Sequence, residues 1–211
     1  MGSMAVIRFR MWVLALGLSI ASCANVPLTK TGFLNDYSAL EPAPEHQVWG
    51  IPDTVELFRS DVLDSGSYDA IIVDPAEWQQ GGKFTPGDEN IAWLEEEFSK
   101  CLTKVIGKEF EVVTEPREGA LRIRPAVTAV NPQNVLINVI LLIVAVPLDM
   151  GGISGEIEVV DSMSGERVLA MRARREGNIF IVLESPFIYG HARHGMYKWS
   201  VLLRRLLQPQ E

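Results

Sequence analysis

The sequence predicts an α+β fold, with a mainly antiparallel sheet and two amphipathic helices packed on one face. Two apolar stripes at helical spacing, with short alternating runs between them, lead to this expectation. The chain has 211 residues and is 47% hydrophobic, which is enough apolar material for one core. We expect a signal segment at 1–22, a lipidated N-terminus and tether at 23–50, and one domain at 51–211.

Two helices are expected to frame the strands. The first begins with Thr85 as its N-cap and Pro86 at the first helical position, and it stops at Gly107. The second covers 191–208 and stops before Pro209. Apolar residues recur at intervals of three and four in both segments, which predicts one buried face on each helix. These residues are Ile91, Leu94, Phe98, Cys101, Leu102 and Val105 in the first helix, and Ala192, Met196, Trp199, Leu203 and Leu206 in the second.

The strands are predicted from short β-branched and alternating runs at 68–75, 110–113 and 120–130. Pro125 has no backbone N–H, so it predicts that the third run lies at a sheet edge or bends there.

Residues 151–177 predict a β-hairpin, because apolar and polar residues alternate on both sides of a turn. A three-residue loop at 163–165 needs a left-handed residue, which Gly165 supplies. The resulting register places Val159 opposite Leu169 and Glu156 opposite Arg172, so that apolar meets apolar and acid meets base.

Residues 135–148 form the most apolar run of the mature sequence, with Asn138 as the one polar side chain. The run is shorter than the roughly 20 residues that a helix needs to span a bilayer. We expect a buried element here. The alternative is a surface that contacts lipid or a partner protein.

The first segment indicates export from the cytoplasm. Arg8 and Arg10 precede an apolar core from Met11 to Ile20, and small residues follow. This arrangement is typical of a secretory signal peptide. Whether Met1–Ser3 are natural or left from expression, with Met4 the natural start, stays open.

The residues Ile20-Ala21-Ser22-Cys23 resemble the bacterial lipobox. The resemblance implies cleavage between Ser22 and Cys23, a diacylglycerol thioether on the Cys23 thiol, and acylation of the new N-terminus by a fatty acid such as palmitate. Two or more acyl chains hold a protein firmly on a membrane. The alternative is an ordinary signal peptide with a chance cysteine, or a free core cysteine.

The residue after Cys23 indicates which membrane carries the anchor. By similarity to bacterial lipoproteins, Ala24 is not the aspartate that commonly retains them at the inner membrane. We therefore expect the outer membrane, with the domain facing the periplasm. The inner membrane is the alternative.

The mature chain is acidic, with 17 basic against 27 acidic residues and a net charge of −10 once Arg8 and Arg10 are removed. Such a balance argues against nucleic acid as a partner. Cys101 is then the remaining cysteine, and we expect a small core residue rather than a reactive one.

Three stretches in order, "GFLNDYSAL" (32–40), "IIVDP" (71–75) and "GGISGEIEVVDSMSGERVLA" (151–170), resemble the bacterial lipoproteins classed as "domain of unknown function 3313". The resemblance covers most of the mature chain. It implies an envelope lipoprotein to which no reaction is attached.

No phosphate loop, dinucleotide fingerprint, nucleophile elbow or zinc-protease motif occurs in the sequence. We therefore predict no catalytic residue and no cofactor. His191 and His194 are weak metal candidates one helical turn apart, and the simpler interpretation is a pair of exposed histidines. The acids at 95–97 are expected to form a solvated face. Four further polar residues are expected to shape turns: Asp36, Tyr37, Asp161 and Ser162.

Two functions fit these observations. The leading hypothesis is a structural or protein-interaction module of the envelope, which would recruit an envelope protein through a sheet edge or through residues 135–148. The alternative is a periplasmic ligand-binding or enzymatic domain whose site is assembled from scattered residues. A deep pocket lined by convergent acids or histidines would favour the alternative.

Overall fold

A computed structural model of the chain describes residues 26–43, 53–132, 151–177 and 188–210. These residues form an eight-stranded sheet, two long helices and a short 3₁₀-helix at Asp61–Ser65. The strands are β1 (Glu41–Pro42), β2 (Asp53–Arg59), β3 (Ala70–Val73), β4 (Glu77–Trp78), β5 (Glu111–Val112), β6 (Ala120–Asn131), β7 (Gly152–Asp161) and β8 (Arg167–Glu176). The helices are α1 (Asp88–Ile106) and α2 (Gly190–Leu206).

The sheet is mixed and mostly antiparallel. Its order is β1-β2-β8-β7-β6-β3-β5, and β4 also pairs with β6. The β1–β2, β2–β8, β8–β7 and β7–β6 pairs are antiparallel. Strand β3 pairs in parallel with β5 and β6, as β4 does with β6. The predicted α+β class with a mainly antiparallel sheet is confirmed.

The predicted hairpin register is confirmed along the body of β7 and β8, where Val159 faces Leu169 and Glu156 faces Arg172. The predicted three-residue loop is wrong by one residue. The Asp161 N–H donates to the Glu166 carbonyl at 2.9 Å, so four residues make the turn. A register shift between Val159 and Val160 compensates for the extra loop residue. Gly165 has a φ of 73°, as the left-handed turn position requires.

Pro125 does not lie at a sheet edge, contrary to one of the two placements predicted for it, because β6 has neighbours on both sides. The carbonyls of Ile123 and Val127 accept hydrogen bonds from Asp74 and Gln79 on the β3 and β4 side. Pro125 lies between them and turns its nitrogen to the same side. Strand β3 has ended there and β4 has not begun, so no donor is needed.

Both predicted helical stripes are buried, with one exception: Ile91 is half-buried. The predicted cap of the first helix is wrong. Gly87 occupies the N-cap without a side-chain hydrogen bond, while the Thr85 hydroxyl donates to the Gln80 side chain at 2.9 Å. Gly107 is the C-cap, as predicted.

Helices α1 and α2 run alongside each other in the same direction. Near their starts Trp93 stacks on Tyr189 with ring centroids 6.2 Å apart, and further along Phe98 meets the edge of Trp199 at 6.1 Å. A Cβ at Gly155 of β7 would lie 3.0 Å from Trp199 and 3.6 Å from Phe98. A glycine here therefore lets both rings approach the strand.

Residues 26–43, which we call the N-terminal segment, lie over the opposite side of β7. The neighbours of Gly155 along the strand are Ser154 and Glu156, and both bond to this segment. Val26 and Leu34 are fully buried. These residues belong to the predicted tether, and they pack on the sheet as a further layer. The boundaries predicted for the signal segment, the tether and the domain stay predictions.

The apolar run at 135–148 lies outside the described residues, so both interpretations of it stay open. None of the helices in the described part of the chain is long and apolar enough to span a bilayer.

Candidate functional site

The most elaborate polar arrangement in the described residues holds the N-terminal segment against the sheet. Its members come from β7 and β8 and contact the segment directly. We call this set the clamp, and it consists of Ser154, Glu156, Arg167, Arg172 and Arg174. Strand alternation places Ser154 with Glu156, and Arg172 with Arg174, on one face of the hairpin.

Glu156 is the centre of the clamp and is 0% exposed. Its Oε1 accepts the Thr31 N–H at 3.0 Å and the Thr31 hydroxyl at 3.2 Å. Its Oε2 accepts the Tyr37 hydroxyl at 2.5 Å. Burying a carboxylate is costly unless its lone pairs find donors. All three of these donors belong to the N-terminal segment, so the segment and Glu156 depend on each other.

Tyr37 joins the clamp to the fold of the segment itself. Its hydroxyl oxygen also accepts the Gly32 N–H at 2.9 Å, which closes a compact turn around Leu34. Burial and the neighbouring Glu156 carboxylate raise the pKa of Tyr37 above its ordinary value. The hydroxyl therefore keeps its proton and remains a donor at neutral pH.

The three arginines of the clamp bind backbone carbonyls of the segment in order. Arg174 donates to the Val26 carbonyl at 3.3 Å, and Arg172 donates to the Thr29 carbonyl at 3.1 Å. Arg167 donates to the carbonyls of Leu34 and Asp36. The segment thus runs antiparallel to β8, from the end of the sheet near Arg174 to the hairpin turn.

Acidic partners hold these arginines in place. Glu56 binds Arg172 at 2.6 Å, and Glu158 binds Arg167 at 2.5 Å and Arg124 at 2.7 Å. A guanidinium with a fixed carboxylate on one side presents its remaining N–H groups in a fixed direction. The charged layer therefore positions donors for the backbone of the N-terminal segment.

A second feature is an open groove of about 1330 Å³ between the outer sides of α1 and α2. Its lining includes Glu97, Cys101, Arg193, His194 and Tyr197. Arg193 donates from Nε to the Glu97 Oε1 at 2.7 Å and joins the two helices across it.

Cys101 at the base of the groove is a packing residue. Burial, with the Glu97 carboxylate acting in the same direction and Arg193 opposing it, raises the pKa of its thiol to about 11. A thiol with such a pKa is almost entirely protonated at neutral pH and is a weak nucleophile.

The acids at 95–97 were predicted to form a solvated face. The face is not purely solvated, because each of the three acids has a partner. Glu95 accepts the backbone N–H of Trp78 at 2.7 Å, and Glu96 binds Lys100 at 2.6 Å. Glu97 binds Arg193, as described above. Their charges are therefore used in contacts within the fold.

The interpretation of His191 and His194 as an exposed pair is wrong for His191, which is buried. Its Nε2 lies 3.2 Å from the Gly152 carbonyl. Burial lowers the pKa of His191 to about 4, against the opposing effect of that carbonyl. His194 lines the groove instead. No group of three His, Cys, Asp or Glu side chains suited to a metal occurs among the described residues.

The residues predicted to shape turns divide into two groups. Asp36 accepts the Ser38 N–H at 2.8 Å, and Asp161 accepts the Ser164 N–H at 2.7 Å, as turn residues do. These bonds lower the pKa of both carboxyls. The Ser162 hydroxyl donates to the Arg117 carbonyl, and Tyr37 belongs with the clamp. Ser22 and Cys23 lie outside the described residues, so the lipidation site stays a prediction.

The sequence predicts that Glu156 faces Arg172, but it does not reveal that both side chains bind the N-terminal segment. The alternation of Arg172 and Arg174 with buried apolar residues was a signal that this face carries charge. What covers the face is a contact between positions more than a hundred residues apart, which no local pattern reveals.

Fold and clamp together define an α+β domain whose polar sheet face is covered by its own N-terminal segment. The chain belongs to the family described as "Protein of unknown function (DUF3313)", whose sequence profile matches residues 29–203. The match begins within the N-terminal segment and ends in α2. No curated protein matches the chain.

Two solved structures of PelC from Paraburkholderia phytofirmans are similar in fold. A dodecamer of a point variant is 15% identical, with a TM-score of 0.46, and covers 75% of this chain and 100% of its own. A second PelC dodecamer is 11% identical, with a TM-score of 0.49, and covers 76% and 100%. The likeness is distant.

Proposed function

We propose that this protein is a bacterial envelope lipoprotein, anchored through Cys23 at the outer membrane and facing the periplasm. In this proposal the domain is a structural or protein-interaction module, with the helix pair on one face of the sheet and the N-terminal segment on the other. The observation that carries it is the sequence Ile20-Ala21-Ser22-Cys23 after a short apolar core. Membership in a family of unknown function attaches no reaction to the chain.

The geometry supports an interaction module better than an enzyme. In the groove Glu97 is bound to Arg193, and the thiol of Cys101 is held protonated. The buried acids of the sheet bind arginines and the N-terminal segment. Each acid named here is thus already used by the fold, whereas catalysis needs a group poised to exchange protons or attack a substrate.

The described sheet edges offer little to a partner. Strands β1 and β5 at the two ends of the sheet have two residues each, and Pro42 lies in β1. Edges of this kind resist addition of another strand. The groove between the helices is open to solvent, and we propose that an envelope protein binds there.

The anchor is tested by labelling cells with a fatty-acid analogue. Wild-type protein is expected to take up the label and to be cut before Cys23, whereas Cys23→Ser is expected to remain uncut and unlabelled. Normal processing of Cys23→Ser would refute the lipoprotein proposal. Cys101→Ser is the matched control and is expected to be labelled like the wild type.

The partner is tested by photo-crosslinking in intact cells. A photoreactive amino acid at Tyr197 reports on the groove, and one at Val62 is the control, because the two side chains are 46% and 45% exposed. We expect a discrete protein adduct from Tyr197 and none from Val62. Adducts from neither position, or equal adducts from both, would contradict the groove as the binding surface. Saturable binding of a small molecule in the groove would favour the ligand-binding alternative instead.

A further inference from the structure

We propose that one end of this domain faces the lipid bilayer directly, and that the clamp sets this orientation. We call this end the anchor end, and it is formed by Val26, Asn131, Gly152, Arg174 and Ile188. The inference rests on the proposed function, because it takes Cys23 as the lipid attachment point. It adds the surface that meets the membrane, which acylation alone does not specify.

The distance between the lipid and the fold is short. Val26 is 0% exposed, and its carbonyl accepts a hydrogen bond from Arg174. Next along the chain, the Pro27 carbonyl accepts the Ser154 hydroxyl at 2.5 Å. Three residue steps separate Cys23 from Val26, which span at most about 11 Å when fully extended. The acylated residue therefore stays within about 11 Å of the buried Val26 while the clamp holds.

The position of Val26 on the sheet determines which end is tied down. A Cβ at Gly152 would lie 2.6 Å from the Val26 side chain, so Val26 covers the first residue of β7. Asn131, the last residue of β6, pairs with Gly152. His191 in the first turn of α2 contacts the Gly152 carbonyl. The start of β7, the end of β6 and the start of α2 thus meet where the anchor is attached.

Exposed apolar side chains occur at the same end. Ile188 is 54% exposed, three residues before His191. Trp93 is 36% exposed in the second turn of α1 and stacks on Tyr189, the residue after Ile188. Aromatic side chains are favoured at the boundary between lipid and water, where one part of the ring contacts apolar material and another meets water.

The ends of two further stretches of chain are also here. Residues 133–150 connect Pro132 to Gly151 in the chain, and residues 178–187 connect Gly177 to Ile188. In sequence each stretch has one charged residue, Asp149 and Glu184 respectively. Two stretches with little charge therefore begin and end at the anchor end, where the acyl chains enter the bilayer. This favours lipid as the occupant over a soluble partner.

The test is the solvent accessibility of spin labels on the full acylated protein. The vesicles contain phosphatidylethanolamine and phosphatidylglycerol in a ratio of about 3:1. One label replaces Ile188, and the matched control label replaces Met163 in the hairpin turn, which is 66% exposed. The ten residues of β7 separate the two ends, and ten strand residues span about 33 Å. Cys101→Ala removes the other thiol.

We expect the label at Ile188 to collide less with a water-soluble nickel complex, and more with oxygen, when the protein is on vesicles. The label at Met163 is expected to stay accessible to nickel. Equal accessibility of the two labels, or protection of Met163 alone, would overturn the inference. Protection of Ile188 that is the same in detergent without vesicles, and that grows with protein concentration, would assign the surface to a second copy and overturn lipid as the occupant.

Two measurements keep this inference separate from the proposed function. Acyl labelling of the same sample shows whether Cys23 is modified. A protein that is neither acylated nor bound to vesicles would contradict the proposed function. An acylated, membrane-bound protein with a water-exposed label at position 188 would contradict this inference and leave the proposed function intact.

Inserting about 20 Gly and Ser residues between Asn25 and Val26 adds roughly 25 Å of flexible reach. This insertion is expected to lower the protection of Ile188, and unchanged protection would overturn the role of the short connection.

Discussion

The hydrogen bond between Tyr37 and Glu156 gives the sharpest test of the clamp. Tyr37→Phe removes a hydroxyl that donates to a buried carboxylate at 2.5 Å and accepts the Gly32 N–H. A hydrogen bond to a charged group contributes about 1.5–3 kcal/mol to stability. Glu156 keeps both bonds from Thr31, so the loss is limited to the Tyr37 contacts. We expect the free energy of unfolding to fall by about 2 kcal/mol.

The assay is urea denaturation of the mature chain carrying Cys23→Ser, with tryptophan fluorescence as the signal that reports unfolding. With an m-value near 2 kcal/mol per molar, the midpoint is expected to fall by about 1 M. Tyr197→Phe is the matched control: its ring is half-exposed, and we expect a change within about 0.5 kcal/mol. Equal small effects of the two substitutions would refute the view that the N-terminal segment is part of the cooperative fold.

A double-mutant cycle identifies the partner of the hydroxyl. If Tyr37 acts through Glu156, then Tyr37→Phe should cost much less in a Glu156→Gln background, and the coupling should reach about 1 kcal/mol or more. Additive effects would contradict a direct interaction between the two side chains.

Three further predictions follow from buried or constrained groups. The pKa of His191 is lowered to about 4 in the fold. Between about pH 6.5 and 4 the unfolded chain therefore binds a proton at His191 that the folded chain does not bind. The contribution of His191 to stability is complete above that window, and it is lost at up to about 1.4 kcal/mol per pH unit as the pH falls through the window. His191→Asn should flatten this slope in urea titrations, and an unchanged slope would contradict the assignment. Gly165 has a φ of 73° and open space around it, so Gly165→Ala should cost about 1 kcal/mol through backbone conformation alone, and Gly165→Asn less; a neutral Gly165→Ala would refute this. The thiol of Cys101, with a pKa of about 11, should react with iodoacetamide at pH 8 about 100-fold more slowly than an exposed cysteine, and rapid labelling of native protein would show that the thiol is accessible and ionised.

Local sequence patterns predict the fold correctly where the alternation within neighbouring strands is enough to determine which residues face each other. The alternation on β7 and β8 determines which residues face each other, because a one-residue slip would bring apolar side chains to the polar face. The turn length was not predictable in the same way. A register shift next to Val160 absorbs one extra residue, and the alternation of apolar and polar residues does not indicate where such a shift occurs.

Other errors came from tertiary context. Pro125 is internal because β3 and β4 leave a gap beside it, and that gap depends on how two other segments are placed. His191 is buried because α2 starts against Gly152, although its sequence neighbours include exposed residues.

The role of the N-terminal segment was the largest feature that the sequence did not reveal. Prolines and scattered polar groups in 24–50 are typical of a tether. Its carbonyls are bound by Arg167, Arg172 and Arg174, whose partners could be named only once β8 and the segment lay side by side.

Hydrogen exchange of the N-terminal segment tests the central claim most directly. In the acylated protein on vesicles, the Thr31 amide, bonded to the buried Glu156, is expected to exchange far more slowly than in an unstructured peptide. Glu156→Gln should accelerate it, while amides at the centre of β7 remain protected. Exchange of Thr31 at the rate of an unstructured chain in the wild-type protein would contradict the clamp, and with it the short connection between the lipid and the fold.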